Sequence, residues 1–186
     1  MNYSLTDTDI NNLLGGETKI IFYRDLKNYS SLEEVLEPYG NTVILYPARS
    51  ESDGHWTALL RSVNKKGEPV VEFFDPYGND PDYGFTKTDI KLPYYLALLM
   101  LASNEKLEYN NHKIQKLAKN VGTCGRHVVN RILYDFLPID EYYKLFKSTP
   151  GVSADQLVVA MVPINDEEVI VYSSFFSTSI FFFENF

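Results

Sequence analysis

Three side chains of this sequence are of the types that a nucleophilic cysteine site needs. Cys124 is the only cysteine, and it lies in the motif Thr-Cys-Gly-Arg-His at 123–127, where a helical pattern begins. His55 precedes a tryptophan, and Asp75 opens the motif Asp-Pro-Tyr-Gly at 75–78. A thiol attacks a carbonyl carbon when an imidazole takes its proton and a third group orients that imidazole. The sequence therefore predicts nucleophilic catalysis, provided that the three residues meet in space.

Cys124 stands at a junction between a loop and a helix. The positive end of the helix dipole lowers the pKa of a thiol at such a position. Gly122 and Gly125 flank the thiol and leave room for a substrate backbone to approach. The alternative is a structural role, since a lone cysteine is often a small buried apolar residue.

His55 and Asp75 occupy the two ends of a predicted hairpin. Strand-like runs at 55–63 and 69–74 are joined by a polar turn at 64–68. The start of one antiparallel strand lies beside the end of the next, so the two side chains are expected to be neighbours. A carboxylate there would fix the imidazole tautomer and stabilise its cation. The alternatives are a half-exposed strand histidine and an aspartate that initiates a turn before proline.

The other histidines compete less well for the role of base. His127 lies three residues after Cys124 on nearly the same helical face, and the only carboxylate near it in sequence is Asp135. Side chains at that spacing point alongside each other rather than across a cleft. His112 has no close ligand partner in sequence, so a zinc site is disfavoured and no metal or cofactor is expected.

The hydrophobic pattern predicts a single α+β domain over 1–186, with a central, mostly antiparallel sheet flanked by helices. A long loop is predicted at 75–89, and the aromatic tail at 175–186 is expected to pack onto the body or a partner. Helices are predicted near 7–14, 32–36, 94–102, 124–137, 140–147 and 153–162, and strands at 19–23, 42–46, 55–63, 69–74, 107–110 and 168–172.

The composition is that of a globular protein with an acidic balance. The net charge is −8 and the pI about 4.9, which argues against nucleic acid as the main partner because phosphate contacts need a basic surface. A small basic cluster is interpreted as a solvated face: Lys113, Lys116, Lys119 and Arg126. A polar N-terminus and an apolar run at 92–102, shorter than the roughly 20 residues of a membrane span, predict a soluble protein without a signal peptide or a membrane contact.

The order of these motifs resembles a known group of cysteine proteases. Gly-His-Trp at 54–56, then Asp75 at a strand end, then a glutamine, then Cys-Gly at 124–125 is similar to the adenovirus maturation protease (adenain) and the SUMO-processing proteases. The likeness spans roughly 40–137 and is greatest to virion-maturation proteases of large DNA viruses, virophages and related elements. It implies a papain-like fold of the adenain type, with Cys124 as nucleophile, His55 as general base and Asp75 as its orienter.

The resemblance also implies an oxyanion donor and a substrate channel. Family members carry a glutamine shortly before the cysteine, and Gln115 is the candidate here, with Asn120 as the substitute. The resemblance places Trp56 near the substrate channel, and Gly122 and Gly125 are expected to line it. The alternative for Trp56 is simple core packing.

The implied activity is cleavage of viral precursor or capsid proteins at small, Gly-rich sites during particle maturation. That activity would take place in the host cytoplasm at the assembly site and in the virion, and a peptide or capsid component would be a possible activator. Three alternatives remain open at this point: a SUMO- or ubiquitin-like deconjugating protease, an acyltransferase that uses the same triad, and an inactive binding module.

Overall fold

The computed structural model describes residues 3–47, 54–82, 93–118 and 121–164, and its architecture confirms the predicted α+β class. One five-stranded sheet has the order β1-β2-β3-β4-β5, and these strands span Lys19–Phe22, Asn41–Pro47, Gly54–Val63, Pro69–Phe74 and Leu107–Tyr109. Helices α1 to α6 span Asp7–Leu13, Leu32–Leu36, Tyr95–Ala102, Cys124–Leu133, Ile139–Leu145 and Ala154–Met161. A 3-10 helix at Tyr23–Asn28 was not predicted. The predicted strand at 168–172 and the aromatic tail lie outside the described residues.

The centre of the sheet is antiparallel and its edges are parallel. Strands β2, β3 and β4 pair antiparallel, whereas β1 runs parallel to β2 and β5 parallel to β4. The turn between β3 and β4 is stabilised by Asn64, whose Oδ1 accepts hydrogen bonds from the backbone N–H groups of Lys66 and Glu68 at 2.8 and 3.0 Å. Gly67 supplies the positive φ of 75° that the turn requires. This hairpin fixes which residues meet at its open end.

Each face of the sheet carries its own apolar core, because strand side chains alternate between the two faces. Along β3, Trp56 and Ala58 belong to the core that also contains Val128 of α4, whereas Leu59 belongs to the opposite core beneath α2 and α3. Helix α4 therefore lies across β3. The packing brings the first residue of α4, Cys124, to the end of the sheet where β3 begins.

Helix α4 ends earlier than predicted, at Leu133 rather than near 137. The buried Arg131 guanidinium pairs with both carboxylate oxygens of Glu72 at 2.8 and 2.6 Å, and it also binds the carbonyls of Tyr134 and Leu137. These bonds draw the following chain back onto the helix end. The sequence pattern predicts that one side of this helix is buried through Val128, Val129, Ile132, Leu133 and Phe136. That prediction is wrong at its last two positions, because Leu133 and Phe136 are exposed. None of the described helices has the length and apolar character that crossing a membrane requires.

Candidate active site

His55 and Asp75 meet as the hairpin predicts. His55 is the second residue of β3 and Asp75 directly follows β4, and His55 Nε2 lies 2.6 Å from Asp75 Oδ1. The Asp75 side chain is only 6% exposed, and that of His55 is 21% exposed. The imidazole is thus held at the rim of the sheet by a buried carboxylate.

Four further hydrogen bonds hold Asp75 in place. Its Oδ1 accepts from the backbone N–H of Tyr77 and its Oδ2 from the Asn79 side-chain amide, both at 2.8 Å. The Asn110 amide donates to the Asp75 backbone carbonyl at 2.6 Å. The Asp-Pro-Tyr-Gly motif does initiate a turn, since Gly78 donates to the Asp75 carbonyl at 2.7 Å. Asp75 can therefore both initiate the turn and orient the His55 imidazole.

Cys124 is the first residue of α4, and the pKa of its thiol and the pKa of the His55 imidazole each respond to the other group. Because Asp75 engages Nε2 of the ring, Nδ1 is the nitrogen left for the thiol. Burial disfavours the imidazolium, but the hydrogen bonds and negative charges of Asp75 and Cys124 outweigh it and raise the pKa of His55 to about 9. Burial also disfavours the thiolate, but the hydrogen bond and charge of His55, with the backbone N–H groups of Trp56 and Gly125, lower the pKa of Cys124. The arrangement favours a thiolate–imidazolium pair.

Tyr77 packs on the base and was not predicted to have a role at the site. Its ring stacks on the His55 imidazole with centroids 4.4 Å apart and an angle of 20° between the planes. Burial, with the negative charges of Cys124 and Asp75, raises the pKa of Tyr77 to about 12, so the phenol stays neutral. An aromatic face against the ring restricts its rotation and favours its cationic form.

Gln115 is anchored to the same corner of the molecule. Its backbone N–H donates to the Pro76 carbonyl at 2.9 Å, directly after Asp75 in sequence. Its side-chain Nε2 lies 3.4 Å from the Val121 carbonyl, and its buried Oε1 has no hydrogen-bond partner among the described residues. Its suggested competitor, Asn120, lies outside the described residues.

The surroundings of Trp56, Gly122 and Gly125 differ from the predicted open channel. The indole is buried in the core, and its Nε1 donates to the Leu5 carbonyl at 2.9 Å. A side chain on Gly122 would collide with Ser4 Oγ, and one on Gly125 would approach Leu5 Cβ to 3.0 Å and Trp56 Cδ1 to 3.2 Å. On that side, the segment before α1 fills the space that the sequence assigned to substrate.

The remaining histidines also have carboxylate partners that the sequence did not reveal. His127 Nε2 lies 3.2 Å from Asp155 Oδ1, and His112 Nε2 lies 2.7 Å from Asp140 Oδ1. Both aspartates are 28 residues from their histidines, so no local motif marks them.

Two observations on the described residues concern the basic cluster and metal ligands. Arg126 is buried and donates to the Val162 carbonyl, so it does not belong to a basic surface. Lys119 lies outside the described residues. The described His, Cys, Asp and Glu side chains form no group of three that could hold a metal ion.

Comparisons with known proteins give a viral relative by sequence and a distant likeness in structure. The chain is 36% identical over 148 residues to "Uncharacterized protein V9" of the Sputnik virophage, an alignment that covers 76% of this chain and 82% of the relative. The crystal structure of the selenomethionine form of the ASFV pS273R protease is similar with 12% identity and a TM-score of 0.41, over 78% of this chain and 67% of that one. No family model matches the chain.

Proposed function

The chain belongs to the same family as protein V9 of the Sputnik virophage, and from this viral membership and the His55–Asp75–Cys124 geometry we propose that it is a viral cysteine endopeptidase. The observation that carries the proposal is the imidazole of His55, whose Nε2 lies 2.6 Å from the Asp75 carboxylate and whose ring and the Cys124 thiol shift each other's pKa. The raised pKa of His55 and the lowered pKa of Cys124 are those of an activated nucleophile.

The proposed reaction begins with the thiolate. Cys124 Sγ attacks the scissile carbonyl carbon, and the carbonyl electrons move to the oxygen. The Cys124 backbone N–H and the Gln115 Nε2 amide are the proposed donors to that oxyanion. As the tetrahedral intermediate collapses, His55 gives its proton to the departing amine and the C–N bond breaks, which leaves a thioester on Cys124.

Hydrolysis of the thioester completes the cycle. Neutral His55 takes a proton from a water molecule as the water oxygen bonds to the acyl carbon. Collapse of the second intermediate breaks the S–C bond and releases the acid, and the thiolate pairs again with the imidazolium. The Asp75 carboxylate stabilises the imidazolium, which is present when the thiolate attacks and forms again when His55 takes the proton from water.

Hydrolysis of a fluorogenic peptide with Gly-Gly before the reporter tests the proposal. The wild-type chain should cleave it, and Cys124→Ala should lose several orders of magnitude in kcat/KM, since members of such a triad act as a unit. Retained cleavage by purified, folded Cys124→Ala would remove the thiol from the mechanism. A ubiquitin or SUMO vinyl-sulfone probe and an acetyl-CoA transfer assay, run in parallel, test the deconjugating and acyltransferase alternatives.

We further propose that the substrates are precursor or capsid proteins of the virus that encodes the chain, cut at Gly-rich sites during maturation in the host cytoplasm and the virion. Family membership with a virophage protein and the sequence motifs support this proposal. Co-expression of the chain with the structural proteins of its own virus should yield shortened products that Cys124→Ala does not produce. Structural proteins that stay intact with both chains, while the peptide is cut, would contradict the maturation role alone.

A further inference from the structure

Asp155 is a buried carboxylate that the proposed reaction does not use. It is the second residue of α6, it is only 3% exposed, and it lies beneath the loop that leads to Cys124. Helix α6 has its own cap, because the Ser153 side chain accepts from the Gln156 backbone N–H and Gln156 reaches back to Ser153. The Asp155 carboxylate is therefore not needed to begin its own helix, and all its contacts go to other segments.

Those hydrogen bonds connect the residues that neighbour the two proposed oxyanion donors in sequence. Asp155 Oδ1 accepts from the Thr123 hydroxyl at 2.5 Å, one residue before the nucleophile. Asp155 Oδ2 accepts from the Lys116 backbone N–H at 3.0 Å, one residue after Gln115. The Gln115 N–H is bound to the Pro76 carbonyl at 2.9 Å. Gln115 is thus fixed through the backbone groups on both sides of its Cα atom.

His127 supports the carboxylate from below. Its Nε2 lies 3.2 Å from Asp155 Oδ1, and its buried Nδ1 has no partner among the described residues. Burial, which outweighs the pull of Asp155, lowers the pKa of His127, so the ring is neutral and donates from Nε2. Burial opposes ionisation of Asp155, but the bonds from His127, Thr123 and Lys116 prevail and lower its pKa. The carboxylate is therefore charged, and it accepts hydrogen bonds from three groups: Lys116, Thr123 and His127.

We propose that Asp155 is a positioning residue that sets the distance between the Gln115 amide and the Cys124 backbone N–H, and so shapes the oxyanion hole. The inference rests on the proposed function. It follows from the hydrogen bonds to Thr123 and Lys116. Among the described residues, Asp155 is the side chain that binds both of these groups. Removing one oxyanion donor costs about 10²–10³ in turnover, and a displaced donor loses part of that benefit.

The test separates an effect on the oxyanion hole, measured as peptide turnover, from an effect on the reactivity of the thiolate, measured as its alkylation rate. Asp155→Asn replaces one of the two acceptor oxygens with an amide donor, so at least one of the bonds from Thr123 and Lys116 is lost. Thr123→Val removes one donor while keeping the shape of the side chain. We expect each to lower kcat by about tenfold or more with little change in KM, as loss of a transition-state interaction requires. Alkylation of Cys124 by iodoacetamide at pH 7 should stay within about twofold of wild type, because that reaction develops no oxyanion. Gln115→Ala gives the reference loss of about 10²–10³.

A rescue variant of Thr123 completes the test, and the same measurements can contradict the inference. Thr123→Ser restores the hydroxyl donor and should recover most of the turnover that Thr123→Val loses. Unchanged kcat in Asp155→Asn and Thr123→Val would overturn the inference, and so would an alkylation rate that falls in step with kcat. If Asp155→Asn does not fold, the comparison of Thr123→Val with Thr123→Ser tests the inference. Equal inactivity of wild type and Cys124→Ala would overturn the proposed function itself, and this inference with it.

Discussion

His55 Nε2 lies 2.6 Å from Asp75 Oδ1 across the open end of the β3–β4 hairpin, although 20 residues of chain separate them. The same side of the imidazole cannot serve the thiol, so Asp75 decides which ring nitrogen faces Cys124. A carboxylate in this place also favours the imidazolium, which raises the pKa of His55. One contact thus sets both the orientation and the charge of the proposed base.

Replacing His55 should be as damaging as replacing the nucleophile. We expect His55→Ala to lower kcat/KM for the fluorogenic peptide by several orders of magnitude, because the Cys124 thiol loses its proton acceptor and its thiolate loses the positive charge beside it. His112→Ala is the matched control, since His112 also bonds an aspartate but has no part in the site. Equal losses in the two variants would mean that a general effect of histidine removal, and not the base, is being measured.

Asp75→Asn should weaken activity without abolishing it. The amide oxygen can still accept from the ring, but it cannot stabilise the positive charge, and a loss between about 10²- and 10⁴-fold in kcat is expected. Asp140→Asn changes the carboxylate that His112 binds and serves as the control. Wild-type turnover with asparagine at position 75 would place the orienting group elsewhere.

The pH dependence of Cys124 alkylation should report the ion pair. With the pKa of Cys124 lowered and that of His55 raised to about 9, the thiolate persists below the range in which an ordinary thiol ionises. We expect iodoacetamide to react readily at pH 6–7 with wild type, and His55→Ala to shift the reaction upward towards the ordinary thiol value of 9.0. Peptide cleavage should fall as pH rises through about 9, where His55 loses the proton that it must donate. A wild-type alkylation profile that rises only near pH 9 would contradict the pair.

Tyr77 should act through its ring and not through its hydroxyl. Tyr77→Phe keeps the stack on His55, so its kcat/KM should remain near that of wild type. Tyr77→Ala removes the stack and should lower kcat/KM by about 2- to 13-fold, which corresponds to 0.5–1.5 kcal/mol for an aromatic contact. A phenylalanine variant as poor as the alanine variant would assign the effect to the hydroxyl.

Trp56 should contribute to stability more than the sequence suggests. Trp56→Phe removes the donor to the Leu5 carbonyl and should lower the free energy of unfolding by about 1–3 kcal/mol. Trp56→Ala should lower it by about 3–5 kcal/mol. Urea denaturation measures both, with Leu101→Ala at an exposed position as a control that should stay within about 0.5 kcal/mol. Trp56→Ala as stable as the control would show that the indole is not a core residue. The preference for Gly-rich cleavage sites, which the family resemblance implies, stays a prediction for a peptide library.

Local patterns predicted the elements and the hairpin pair, because alternation and turn chemistry act over short stretches of sequence. His55 and Asp75 are the clearest case, since the hairpin alone places them together. The sequence could not reveal Asp155, which reaches His127 only after α6 packs on α4. It also assigned the space beside Gly122 and Gly125 to substrate, because a glycine shows that a close approach occurs and not which segment makes it. Ser4 and Leu5 fill that space, and neither carries a chemical signal.

The position of Asp155 has a consequence for biosynthesis. Asp155 belongs to α6, the last helix that the structure describes, whereas the groups that it binds precede it by 28 to 39 residues: the Lys116 backbone N–H and the Thr123 and His127 side chains. A chain emerging from the ribosome therefore exposes its histidine, its aspartate and its thiol well before the brace beneath them exists. Because contacts of this separation form late, a nascent chain carries the chemical groups without their final spacing. The proposed oxyanion hole therefore reaches its final spacing only once α6 has been synthesised and has packed.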